Sequence, residues 1–135
     1  MRKAVLLILC LIVFAGCSKV TPTADTLNFI GETENWKVEL IQTVPIPQNP
    51  PEKMSSHKLI VQYKGVPTNL GLVKYEYKIR GESGSGEAHA DNNGYVTKGG
   101  VAGNIHLLEK EETVTVKVQW DDKKEEIELR YPKSK

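Results

Sequence analysis

The chain has 135 residues, 39% hydrophobic and 26% charged, with a formal net charge of +1. That length suits one domain with a single core. The balanced charge leaves no basic footprint for nucleic acid, and the composition is too apolar for disorder and too polar for repeated membrane crossing. Its two cysteines, Cys10 and Cys17, both fall in the N-terminal segment, which excludes a disulfide scaffold and a multi-cysteine zinc module.

The chain opens MRKAVLLILCLIVFAGC. Arg2 and Lys3 make a short positive segment, and Ala4 to Ala15 is apolar throughout. As a helix that run rises about 18 Å, short of the roughly 30 Å hydrocarbon core, so it reads as a secretory apolar segment rather than a span. Phe14-Ala15-Gly16-Cys17 then resembles the bacterial lipobox: an apolar residue, two small ones and the cysteine. The resemblance implies that the Cys17 thiol takes a diacylglyceryl group and that signal peptidase II cuts between Gly16 and Cys17. Phe14 stands where leucine is commoner. Cys10 follows Leu9, where that family has a small residue, and Ser18 gives no aspartate retention signal. Residues 1–16 are then a signal peptide, with Cys17 the first mature residue, palmitate-type chains its anchor and membrane lipid its partner. At about 0.8 kcal/mol per buried methylene, two such chains rarely detach. Residues 17–26, with Pro22 and three threonines, read as a tether reaching at most roughly 30 Å.

Residues 27–135 form the expected domain, and alternation with period two dominates it. Leu27 and Phe29 lead, followed by Trp36, Val38, Leu40 and Val44, a run broken by Gln42. Pro45, Pro47, Pro50 and Pro51 make the next connection an extended excursion. Leu59, Val61 and Tyr63 come next, then Val73, Tyr75, Tyr77 and Ile79 with charged residues between. Weaker strands are expected at Gly86–Ala90, Gly94–Lys98 and Asn104–Leu108, with Asp91-Asn92-Asn93-Gly94 as a hairpin turn. Val114, Val116, Val118 and Trp120 precede an Asp121-Asp122 turn, and Ile127, Leu129 and Tyr131 close the chain. Half-buried strands of this kind predict an all-β, antiparallel β-sandwich, immunoglobulin-like and without a disulfide, with Trp36 and Trp120 central to its core.

The segment Asn28-Phe29-Ile30-Gly31-Glu32-Thr33-Glu34-Asn35-Trp36-Lys37-Val38 is similar to the domain opening of small lipoproteins of low-GC Gram-positive bacteria, and Val118-Gln119-Trp120 with Glu126–Leu129 fits their closing strands. Most of that group have no assigned activity, so the resemblance implies a fold and a location but no catalytic residue.

Chemistry-bearing residues are scattered. His57, His89 and His106 fall on different segments with no spacing that pairs two on one face, so they read as half-exposed strand residues. By parity His57 shares a face with Leu59. The run Gly81-Glu82-Ser83-Gly84-Ser85-Gly86 lacks the context of a nucleophile elbow or a phosphate loop and reads as a flexible connection. Glu111-Glu112, Asp121-Asp122 and Glu125-Glu126 are sequence neighbours, which in a strand point to opposite faces and cannot share a proton. Asp91-Asn92-Asn93-Gly94 has oxygens suited to calcium but not the spacing of a calcium loop. Tyr75 and Tyr77 share one face, as core or, if that face is open, as a platform for stacking sugars. No metal or cofactor is expected.

The expectation is therefore a non-enzymatic, lipid-anchored binding module on the extracytoplasmic face of the cell membrane. Its partner would be an envelope protein or a cell-wall glycan and not nucleic acid. Contact is expected through loops at Pro47, Gln48 and Asn49 and at Ser83 and Ser85. The alternatives are an enzyme or accessory acting on cell-wall polymer, and a passive structural or stress lipoprotein of the envelope.

Overall fold

The computed structural model describes residues 24–46, 55–103 and 105–133. They form β1 (Ala24–Glu32), β2 (Trp36–Pro45), β3 (Ser56–Tyr63), β4 (Val73–Ile79), β5 (Glu82–Ala88), β6 (Tyr95–Thr97), β7 (Gly100–Ala102), β8 (Thr113–Trp120) and β9 (Lys123–Arg130). A short 3-10 turn, Pro67–Asn69, precedes β4. Every pairing is antiparallel, as the alternating patterns predict, and all nine strands belong to one sheet.

The strand order is β5-β4-β8-β9-β1-β2-β3-β6, with β7 also on β3. An immunoglobulin-like sandwich would need two separate sheets; here the ladder is continuous. It is thinnest between β9 and β1, which share only the Ile30–Arg130 pair. The sheet therefore divides into two halves, β5-β4-β8-β9 and β1-β2-β3 with β6 and β7, that face each other across one core, and β5 and β6 approach on the other side without forming a ladder. The outcome is a nearly closed barrel with one tight seam and one open seam.

Parity explains the core. Trp36, Val38 and Leu40 of β2 point inward, as do Val114, Val116, Val118 and Trp120 of β8, and all are buried. Trp36 and Trp120 meet edge to face at 5.2 Å between centroids, and Tyr63 packs on Trp36 at 5.1 Å. Each such aromatic buries about 150–250 Å², and the Trp36–Trp120 contact joins the two halves. Phe29, buried in β1, meets Tyr131 at 6.0 Å.

The tight seam depends on Gly31. A Cβ there would strike the Glu128 carbonyl oxygen and come within 2.8 Å of both Ile127 Cγ2 and Leu129 Cδ2. Beyond it, at the far end from Ala24, Thr33 Oγ1 and Asn35 Nδ2 both donate to the Glu125 carboxylate, tying the β1–β2 turn to β9. Asp121 takes a positive φ of 50° in the two-residue β8–β9 turn. Asp91 also makes its expected turn: its Oδ1 accepts from the Asn93 and Tyr95 amides at 2.8 and 3.0 Å, and Gly94 sits at φ 82°.

Four elements differ from the sequence expectation. The first strand starts at Ala24 rather than Leu27, because the backbone of polar residues 24–26 still pairs with Thr43–Pro45. The Glu82–Gly86 stretch is the edge strand β5 and not a flexible loop. Its inward positions, Gly84 and Gly86, lie opposite Tyr77 and Tyr75, whose rings cross from β4 to cover them. The neighbouring strand thus supplies the apolar surface that β5 lacks, and Gly81 at φ 78° makes the turn. β7 was not expected. Residues 105–109 are not a strand; their backbone groups bond to a side chain instead of a ladder.

Candidate functional site

The open seam exposes the barrel's interior. β7 pairs with β3, where the Leu59 amide donates to the Gly99 carbonyl at 2.8 Å and the Gly103 amide to that of Ser55 at 2.9 Å. Antiparallel geometry then turns the backbone groups of Gly100 and Ala102 away from β3, toward the seam. Between this edge and β5 lies a slot of about 380 Å³. That volume falls within the range of small-ligand pockets, about 300–1,000 Å³.

The slot is built in layers. Its floor is Leu40 and Leu59, which belong to the core. Tyr75 and Tyr77 form one wall, half-buried, with their phenol ends lying on the glycines of β5. Ser83 and Ser85 stand on the β5 rim, and Thr97, Gly99 and Gly100 line the opposite edge. Bare glycines on both edges keep it open. At Gly100 a Cβ would strike the His57 carbonyl oxygen, so β7 hugs β3 and does not slide across the gap.

A strap, residues 105–109, crosses the end of the barrel nearest Ala24 and is fastened by one buried clasp. Gln42 Nε2 donates to the Leu108 carbonyl at 3.1 Å, and Gln42 Oε1 accepts from the Leu108 amide at 2.7 Å. The same oxygen lies 3.0 Å from His57 Nε2, so that nitrogen carries the proton and donates. Gln42 and His57 are 2% and 3% exposed, which makes these bonds costly to lose. Burial pushes the His57 imidazole below its ordinary value; the Glu82 charge opposes this and His106 adds to it. A second tie runs from the His106 amide to Glu82 Oε1 at 2.9 Å, fixing the strap to the start of β5.

Charge lies elsewhere. The outer faces of β4, β5, β8 and β9 carry Lys74 3.9 Å from Glu87 and Lys117 3.9 Å from Glu126, and both signs line the shallow hollows between them. On the other half Lys37 lies 2.8 Å from Glu39. Its hydrogen bond holds the Glu39 carboxyl below the usual range, and in return Glu39 raises Lys37. These exposed or half-exposed pairs are screened and contribute little to stability.

Of the sequence-predicted residues, Ser83 and Ser85 sit on the slot rim, on an edge strand rather than a loop. Gly16, Cys17, Pro47, Gln48 and Asn49 lie outside the described residues. The histidines are not three half-exposed strand residues: His57 is buried in the clasp, His106 is on the strap and His89 is exposed after β5. Among the described residues, no group of His, Cys, Asp and Glu is placed to hold a metal. Glu125 and Glu126 of β9 separate as expected, the first accepting from the β1–β2 turn and the second facing Lys117. Sequence reasoning missed the Gln42–His57 pair. Its signal is a glutamine at an inward position of an apolar run, opposite a histidine whose parity matches Leu59. The chain matches no protein-family model, no curated protein and no solved structure.

Proposed function

We propose that this chain is a binding module of the bacterial cell envelope, held by acyl chains on Cys17 at the extracytoplasmic face of the membrane. The slot at the open seam is its contact site. One observation carries the reading: a barrel closed tightly at β9–β1 is left open at β5–β7 over an apolar floor, with a polar rim and a fastened strap. An apolar floor with a few polar groups suits a bound small ligand, and the slot is built on strands, which hold side chains more firmly than loops. The facing halves keep the free edges and end loops by which sandwich-like domains meet partners. Anchoring is supported by the sequence Phe14-Ala15-Gly16-Cys17 behind an apolar run.

The test has two arms on the full chain. Cys17→Ser removes the sulfur that must carry lipid, so metabolic labelling with a fatty-acid analogue should vanish and the precursor should accumulate uncleaved. Uptake of labelled lipid by this variant would overturn the anchoring. Detergent-extracted full chain, tagged at its C-terminus, should capture an envelope component, and Gly99→Leu, which fills the slot, should abolish the capture. Equal capture by both forms would place binding away from the slot.

A further inference from the structure

Resting on the slot as the binding site, we infer that its ligand is an uncharged carbohydrate segment. None of the side chains lining the slot is Asp, Glu, Lys or Arg, although such residues make up 26% of the chain and crowd the adjoining outer face. A charged ligand entering here would give up its hydration and meet only His57, whose burial disfavours its charged form. Three side chains that face the slot bear hydroxyls, Tyr75, Tyr77 and Thr97, while Ser83 and Ser85 border it with their backbone on the β5 edge. A wholly apolar ligand would cover these hydroxyls and leave them unpaired.

A sugar ring satisfies both surfaces. Its C–H face is apolar and packs on a phenol ring or a leucine, while its equatorial hydroxyls exchange hydrogen bonds with the rim. Tyr75 and Tyr77 are two residues apart on one face of β4, and their polar ends reach the β5 edge across Gly86 and Gly84. The phenols therefore offer ring surface and hydroxyl side by side.

An extended peptide is the competing occupant, since both slot edges carry backbone groups free for strand addition. The ends of the slot oppose it. At one end the chain turns from β5 into β6 through Asp91–Gly94. At the other the strap is tied to Glu82 at the first residue of β5 and to Gln42 beneath. A strand laid along β5 would run into the strap, whereas a short saccharide enters from the side.

The test is a nuclear magnetic resonance titration of detergent-extracted, ¹⁵N-labelled full chain. The probes are neutral tetrasaccharides of N-acetylglucosamine, glucose and galactose, a galacturonic acid tetramer, and an uncharged eight-residue peptide. At least one neutral tetrasaccharide should bind saturably and shift the amides of Gly84, Gly86, Gly99 and Gly100. Tyr75→Phe with Tyr77→Phe keeps the rings and removes two hydroxyls, and should weaken binding about tenfold. Gly99→Leu should abolish it with the rest of the spectrum unchanged, because a Cβ at Gly99 meets only Thr97 Oγ1, at 3.4 Å. If the acidic tetramer or the peptide shifts these glycines and no neutral sugar does, the ligand class is wrong and the binding module stands. If no probe shifts them and Gly99→Leu leaves envelope capture intact, the slot itself is wrong.

Discussion

Replacing Gly31 by alanine tests the tight seam with a single methyl group. The glycine has no positive φ, so the substitution meets no conformational penalty. It should even gain about 0.4–1 kcal/mol, because alanine restricts the unfolded chain. Opposing this, the new Cβ strikes the Glu128 carbonyl oxygen and presses on Ile127 and Leu129 within 2.8 Å. The carbonyl belongs to the β8–β9 backbone ladder and cannot rotate away. Overpacking of this kind costs about 1–3 kcal/mol, so the net expectation is a destabilisation of roughly 1–2 kcal/mol. In a domain of this size that lowers Tm by about 5–15 °C. Urea unfolding followed by tryptophan fluorescence, with parallel thermal melts, measures it. Amide exchange at Ile30 and Arg130 should accelerate before exchange in the β4–β8 ladder. Gly81 supplies the contrast: nothing lies within 4 Å of a Cβ there, but its φ is 78°. Gly81→Asn, which tolerates that conformation, should therefore be nearly neutral, whereas Gly31→Asn should be worse than Gly31→Ala. A neutral or stabilising Gly31→Ala would refute the role given to close approach at this seam.

Trp120→Ala should cost about 3–5 kcal/mol by urea titration, since the residue is 4% exposed and meets Trp36 edge to face; a loss below about 1 kcal/mol would contradict its place in the core. Gln42→Ala should cost about 2–4 kcal/mol and speed exchange of the Leu108 amide, because it leaves two buried backbone groups and His57 unpaired. His57 makes stability depend on pH. Its folded value is depressed, so the unfolded chain binds the proton more readily, and stability falls as pH drops from about 6.5 toward the lower folded value. The Glu82 charge partly offsets this fall and His106 deepens it. The slope of unfolding free energy across that window should shrink in His57→Gln, and an unchanged slope would remove His57 as its source.

The strands that a sequence reader could see are those with strong alternation. β2 and β8 bury every second residue, β4 buries or half-buries every second one, β9 buries Ile127 and Leu129, and Trp36 and Trp120 point where parity puts them. β5 was illegible because Ser83-Gly84-Ser85-Gly86 has no apolar residue of its own; its partner surface comes from Tyr75 and Tyr77 on another strand. A cross-strand supply of this kind leaves no local pattern. The strap was misread for the opposite reason, since Ile105 and Leu107 imitate a strand while the backbone around them bonds to Gln42 and Glu82. Sheet closure was also hidden. Whether the two halves separate or join turns on the single Ile30–Arg130 pair, which becomes possible only where Gly31 lets the backbones meet. The slot follows from that closure. Its serines and tyrosines were visible individually, but the gap between β5 and β7 was not.

Photo-crosslinking in living cells tests most directly whether the module binds through the open seam. A photoreactive residue replacing Val101, which lines the slot and is exposed, samples the slot, and one replacing Lys124 samples the charged outer face. Irradiation should yield a discrete envelope adduct at position 101, lost when Gly99→Leu is combined with it, and little or none at position 124. Adducts of equal yield at both positions, or at 124 alone, would contradict binding at the slot.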